Sequence, residues 1–236
     1  MNALLIYPEW PDTYWSFKHA LPFEGKRSAY PPLGLLTIAP LLPAHWKKRL
    51  VDTNIRRLTD ADLKWADVAL LSGMLVHKQE LLEILARCRA RGLRVFIPRP
   101  FNFLGPGLTK SFVPARLTRQ VAGLGDGDEL VVDNPDTRRD FVDIRDVASA
   151  YWEILTRGRP GEIYNLCTGV GVSLEEVARG LLEASGRHLR LRRGTQTDPP
   201  AALTIVGSYD KIRAELGWTP RIPLADSLRA MSLSLR

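Results

Sequence analysis

Three places in this 236-residue chain carry side chains whose type and spacing could do chemistry. Asn102 stands in Arg-Pro-Phe-Asn-Phe-Leu-Gly-Pro-Gly at 99–107. Its amide can donate to an anionic oxygen, while the Gly-Pro-Gly turn lets backbone come close to a ligand. Arg139 stands in Arg-Arg-Asp-Phe-Val-Asp at 138–143, and a guanidinium suits phosphate through forked, charge-assisted bonds. Tyr14 and Lys18 satisfy Tyr-x3-Lys, which on a helix sets a phenol beside an ammonium that lowers its pKa for proton transfer. That third match lies in a Pro-flanked loop far ahead of the other two and reads as a decoy. His19, His45 and His77 are isolated, and Cys88 and Cys167 have no neighbour at metal-ligand spacing. No metal site is predicted.

The elements that must position these residues alternate between strand and helix. Residues 3–8 form an apolar run ending in proline, and 49–55, 68–74 and 93–97 read as further strands. Between them, 32–42 has helical spacing with proline at its start, and 79–91 is amphipathic with Gly92 behind it. Later, 109–122, 144–156, 210–216 and 224–235 read as helices, with strands at 129–133, 162–167 and 189–192. Ser173 followed by Glu176 is a capping box that opens another helix. Strands separated by helices predict a parallel, helix-covered sheet.

Composition narrows the classes. Hydrophobic residues make up 45% of the chain, enough to build a core. Proline and charges interrupt every apolar run before it reaches membrane-spanning length, and the N-terminus reads as a first strand with no leader. Two cysteines without partners suit a cytoplasmic protein with buried thiols. The net charge of +7 draws on arginine clusters at 87–91 and 187–193. No helix-turn-helix, zinc-finger or RNP pattern accompanies them, which argues against a nucleic-acid partner.

The ordered set 99–107, Arg138-Arg139-Asp140-Phe141-Val142-Asp143-Ile144-Arg145-Asp146-Val147, Tyr164-Asn165 and Gly217-Trp218-Thr219-Pro220 resembles the C-terminal part, from about residue 93, of the NAD-dependent epimerase/dehydratase family. These are extended short-chain dehydrogenases, and the arrangement is most similar to the GDP-mannose 4,6-dehydratase and GDP-6-deoxy-mannose reductase branch. The resemblance implies a nucleotide-sugar ligand, GDP-linked hexose favoured, with Asn102 at its diphosphate. It also implies Arg139 at the ribose–phosphate part and Gln120 at the guanine. It implies NAD(P) as cofactor and allows a homodimer. Asp146 is expected to be structural, at the start of its helix. Two features depart from the pattern. The Gly-rich dinucleotide loop is missing, and Asp198-Pro-Pro-Ala201 stands where the family carries Arg-Pro-x-Asp, so an acid replaces a phosphate contact.

Residues 1–97 resemble another family, the cobalamin-binding-like domain of B12-dependent radical SAM proteins. The resemblance rests on the stretch 7–18, on Tyr30-Pro-Pro-Leu-Gly-Leu35, on Val51-Asp52-Thr53-Asn54 and on Trp65-Ala66-Asp67. Two isolated cysteines cannot hold the iron–sulfur cluster, so radical SAM chemistry is excluded. The lower-ligand pattern Asp-x-His-x-x-Gly is missing as well, which leaves cobalamin a weaker expectation than NAD(P).

The expected fold is therefore α/β: a Rossmann-like parallel sheet with helices on both faces plus a smaller C-terminal substrate-binding portion. The expected segments are 1–97 and 98–236, a hybrid that fusion, recombination or deliberate chimera construction could produce. The expected function is an epimerase/dehydratase/reductase-like protein that binds a nucleotide sugar without turning it over. A cobalamin-binding module and a non-catalytic hybrid remain as alternatives.

Overall fold

The computed structural model describes residues 1–12, 16, 19–26, 28, 31–73, 75–108, 112–195 and 204–235. Two compact units emerge: Met1–Pro98 with Ile154–Ile163, and Arg99–Glu153 with Tyr164–Arg236. The fold is α/β and Rossmann-like, as its sheets and helices show.

In the first unit the apolar run becomes strand β1 (Asn2–Tyr7), whose residues 3–7 are all buried. Burial on both faces is what a continuous apolar strand demands in a parallel sheet. It pairs in parallel with β2 (Lys47–Asp52) on one side and β3 (Val68–Leu71) on the other, and β3 pairs with β4 (Arg94–Pro100). The strand order is β2-β1-β3-β4. Helix α1 (Leu33–Ile38) continues into a 3-10 turn at Ala39–Leu41 and links β1 to β2. Helix α3 (Lys78–Ala90) sets Ile84, Leu85 and Cys88 into the core beside Leu4, Ile6 and Val95. Gly92 follows it with φ +67°, a left-handed turn that a side chain would strain.

Helix α2 (Asp60–Trp65) escaped the periodicity because it is only six residues long. Its signal is local. Thr59 and Asp62 form a capping box, and the Asp62 carboxylate also takes Arg56 at 2.7 Å and Arg49 at 3.0 Å. The Arg56 guanidinium, aided by the Thr59 and Arg49 bonds, holds that carboxyl well below the usual range despite its burial.

The second unit is built on β7 (Arg138–Asp143), a six-residue strand without a periodic signal, because arginines and aspartates fill four of its positions. Parallel partners are β5 (Asn102–Leu104) and β11 (Thr204–Ile205), and β9 (Gly171–Ser173) runs antiparallel to it. Strands β6 (Glu129–Val132) and β10 (Arg190–Arg193) form a separate parallel pair. Helices α4 (Val113–Gly123), α6 (Leu174–Ser185) and α8 (Leu224–Leu233) close one core around Leu104, Leu117, Val132, Phe141, Leu181 and Met231. The Ser173–Glu176 capping box forms, with both reciprocal bonds present.

Helix α5 (Ile144–Arg157) follows β7 directly, and β8 (Ile163–Leu166) comes after it. Asp146 lies in the first turn of α5. Its carboxylate accepts the amides of Arg221 and Ile222 and so ties down the segment after α7 (Asp210–Leu216). Gly217 ends α7 with φ +71°, and Trp218 beside it is buried, its indole donating to Ser149 at 2.9 Å. The Gly-Trp-Thr-Pro motif is architecture.

Candidate functional site

Strand periodicity selects the working face of β7. Thr137, Arg139 and Phe141 point to one side, where they line a cavity of about 340 Å³ together with Asn102, Phe103 and Phe112. The intervening residues look elsewhere. Arg138 is committed to structure, donating twice to the Gly171 carbonyl and reaching Glu176 at 3.1 Å. Of the two adjacent arginines, only Arg139 meets the cavity, and its own Nη1 donates to the Arg138 carbonyl at 2.8 Å.

A second, more open cavity of about 370 Å³ is lined by Arg99, Pro100, Phe101, Asn102, Arg139 and Ile205. Asn102 and Arg139 line both spaces, so the two residues singled out from the sequence stand together at their junction. The cavities differ in chemistry. One side is basic, with Arg99 fixed by Asn165 at 2.8 Å, which in turn donates to the Ser208 carbonyl. The other is richer in aromatic and apolar side chains, with the Phe103 and Phe112 rings 6.2 Å apart and tilted by 43°. Gln120 is exposed on α4 and lines neither cavity. Tyr14, Lys18 and Asp198 lie outside the described residues.

Sequence reasoning missed Arg99, Phe103, Phe112 and Ile205 as lining residues. Arg99 and Phe103 were inside the quoted motif. Ile205 sits on a two-residue strand that leaves no periodic signal.

The first unit has its own crevice. In a sheet of order β2-β1-β3-β4 the strand order reverses between β1 and β3, where a parallel sheet accommodates ligands beyond its strand carboxyl ends. A cavity of about 370 Å³ lies there, among Glu9, Trp10, Asp12, His77, Glu80 and Glu83. Glu80 accepts the Glu9 amide and the Thr53 hydroxyl, and burial pushes its carboxyl above the usual range. His77 is packed edge-on to Tyr7 and Trp10, and burial lowers its pKa. His19 is exposed and pairs with Asp12 at 3.4 Å. Cys88 and Cys167 are buried, which raises their thiols to about 11 and about 12 and keeps them protonated at neutral pH. Among the described residues no group of three or more His, Cys, Asp or Glu could hold a metal, and no helix is long and apolar enough to cross a membrane.

The fold is α/β and Rossmann-like, and in the second unit a strand-borne arginine and asparagine stand at the junction of a basic and an aromatic cavity. Residues 67–167 match the NAD dependent epimerase/dehydratase family, so the family resemblance holds and begins at Asp67, ahead of the start near residue 93 read from the sequence. The chain is 37% identical over 150 residues to GDP-6-deoxy-D-mannose reductase of Pseudomonas aeruginosa, covering 59% of this chain and 47% of that protein. It is 43% identical over 101 residues to an uncharacterised methyltransferase of Synechocystis sp., covering 43% of this chain and 19% of that protein. That match is consistent with the second resemblance read at the N-terminal part. The chain therefore spans less than half the length of either curated relative. In fold it is similar to the solved structure of RMD from Pseudomonas aeruginosa complexed with NADPH, at a TM-score of 0.64 and 21% identity, covering 100% of this chain and 99% of that one.

The matched family is NAD-dependent by name, which makes the crevice beyond β1 the place to test for a dinucleotide. The residues there do not fit one. A pyrophosphate needs backbone amides at a glycine turn and a helix N-terminus. Here the turn is Pro8-Glu9-Trp10-Pro11-Asp12, and four carboxylates face the space where the phosphates would lie. Like charge at that range opposes binding.

Proposed function

We propose that this chain binds a nucleotide sugar in its second unit and does not turn it over with these 236 residues alone. The observation that carries the reading is the placement of Asn102 and Arg139 at the junction of the two cavities. The basic side suits a diphosphate, which forked guanidinium bonds hold well. The aromatic side suits a flat, apolar group such as a nucleobase. A GDP-linked hexose is favoured by the reductase relative. In this reading Asn102 donates to the diphosphate, Arg139 bonds the ribose–phosphate part, and Gln120, which lines neither cavity, is kept as the guanine contact on the family resemblance alone.

We assign 1–97 as a cobalamin-binding-like segment and 98–236 as the nucleotide-sugar segment, in a cytoplasmic protein that can pair as a homodimer. Hydride transfer is left out of the proposal, because the crevice beyond β1 repels the cofactor it would need. A second reading, a cobalamin-type module in the first unit, is favoured by the 43% match to the methyltransferase. Among the described residues the crevice offers it one imidazole, His77, which is packed edge-on to Tyr7 and Trp10.

Calorimetric titration with GDP, GDP-mannose, NADPH and cobalamin separates these readings. Micromolar binding of GDP-mannose that Arg139→Ala abolishes supports the first. A corrin absorption shift supports the second, and no response to any ligand sinks both.

A further inference from the structure

The Asp140 side chain faces away from both cavities and is fully buried. Its two oxygens collect four donors from two other segments. Oδ1 accepts the backbone amide and the hydroxyl of Thr168, both at 2.7 Å. Oδ2 accepts the amide of Gly169 at 2.8 Å and that of Gly207 at 3.2 Å. Its own backbone carbonyl lies 3.4 Å from the Asn102 side-chain amide. One residue thus joins β7, the turn after β8, the end of β11 and β5.

Each of these attachments bears on a lining residue. Asp140 follows Arg139 directly in β7. Gly207 is two residues beyond Ile205, which lines the basic cavity and pairs with Arg139 across β7 and β11. Asn102 lines both cavities. A buried carboxylate with all its lone-pair directions used is rigid, because every motion costs a charge-assisted bond in a low-dielectric setting.

We propose that Asp140 is the positioning residue of this site. It touches no ligand, but it fixes Arg139, Asn102 and Ile205 in the arrangement that accepts the anionic part of a nucleotide. The proposal rests on the nucleotide-sugar reading above.

Asp140→Asn is the informative change. An amide flipped either way sets its NH2 against a backbone N–H: that of Thr168 on one side, those of Gly169 and Gly207 on the other. The residue keeps its volume and loses its role as universal acceptor. Thr168→Val removes only the hydroxyl bond and is the milder companion if the first variant folds poorly. Leu181→Ala, in the core away from both cavities, is the stability control.

The probes are GDP and GDP-mannose by calorimetry, with the Arg139 side-chain Nε–H resonance followed by NMR. Asp140→Asn should raise Kd at least tenfold, about 1.4 kcal/mol. It should also suppress the ligand-induced shift of the Arg139 resonance. Thr168→Val should raise Kd less, and Leu181→Ala should lower Tm while leaving Kd and the resonance shift unchanged. Wild-type binding with Asp140→Asn or Thr168→Val at wild-type affinity overturns the positioning role and leaves the nucleotide reading standing. Leu181→Ala weakening binding as much as Asp140→Asn does overturns it too. A wild type that binds neither probe overturns the nucleotide reading itself, and the positioning role with it.

Discussion

The side-chain amide of Asn102 points at the backbone carbonyl of Asp140, 3.4 Å away, so the two site residues quoted from separate motifs are linked through the residue beside Arg139. The strand pairing explains the link, since Asn102 stands opposite Phe141 in the β5–β7 ladder. Loss of Asn102 should therefore act locally. Asn102→Ala is expected to weaken GDP-mannose binding about three- to tenfold, the net worth of one ordinary hydrogen bond. Arg139→Lys should bind more weakly than wild type and better than Arg139→Ala, because it keeps the charge and loses the fork. Calorimetry on the three variants checks the order.

Gly207 is predicted to tolerate nothing larger. A Cβ there would stand 2.6 Å from Cys167 Sγ and 2.7 Å from Phe101 Cζ. Gly207→Ala should cost about 1–3 kcal/mol through overpacking and should also weaken ligand binding, since Phe101 lines the basic cavity. Gly123→Ala, in open space at the end of α4, should be neutral or stabilising by up to about 1 kcal/mol. Urea denaturation of the pair gives the comparison.

Asp62 carries the pH prediction for the first unit. Its carboxyl titrates below the usual 3.8 in the folded chain, so its stabilisation is present above that value and is lost as pH falls through the depressed one. Arg56→Ala should cost about 1–2 kcal/mol near neutral pH, because Arg49 and Thr59 still hold the carboxylate. The difference between variant and wild type should shrink steadily in acid. A difference that stays constant down to the acid limit would mean the pair does not set this stability.

Asp143 is held below its usual range by Arg145 and Ser227, which outweigh the opposing effect of burial. Ser227 donates from α8 at 2.6 Å and is itself buried. Ser227→Ala should destabilise the second unit by about 1–2 kcal/mol, seen as a lower Tm, with ligand affinity unchanged.

The helices with long periodic faces were legible in the sequence, α3 and α6 above all, because Leu81, Ile84, Leu85 and Cys88, or Ser173 and Glu176, announce themselves. Strand β7 was not. Its Arg-Arg-Asp-Phe-Val-Asp has no clean alternation of polar and apolar, since buried Asp140 and Asp143 occupy inward positions that apolar residues usually hold. The site was legible in part. Motif spacing picked out Asn102 and Arg139, whereas Asp140 acts through segments 28 to 67 residues away, a distance that no local pattern encodes. Phe112 and Ile205 reach the cavities through tertiary packing alone. The acid-lined crevice beyond β1 was foreshadowed only as a missing glycine loop. Its carboxylates came together when β1 and α3 were brought side by side.

In the proposed function, Arg139 and Asn102 hold a nucleotide sugar without help from a dinucleotide. Titration of GDP-mannose into the wild type and Arg139→Ala, each with and without NADPH, tests it most directly. Micromolar affinity is expected in the wild type, with loss of binding in the variant and no change on adding NADPH. Equal affinity in both proteins, or binding that appears only with NADPH, would contradict it.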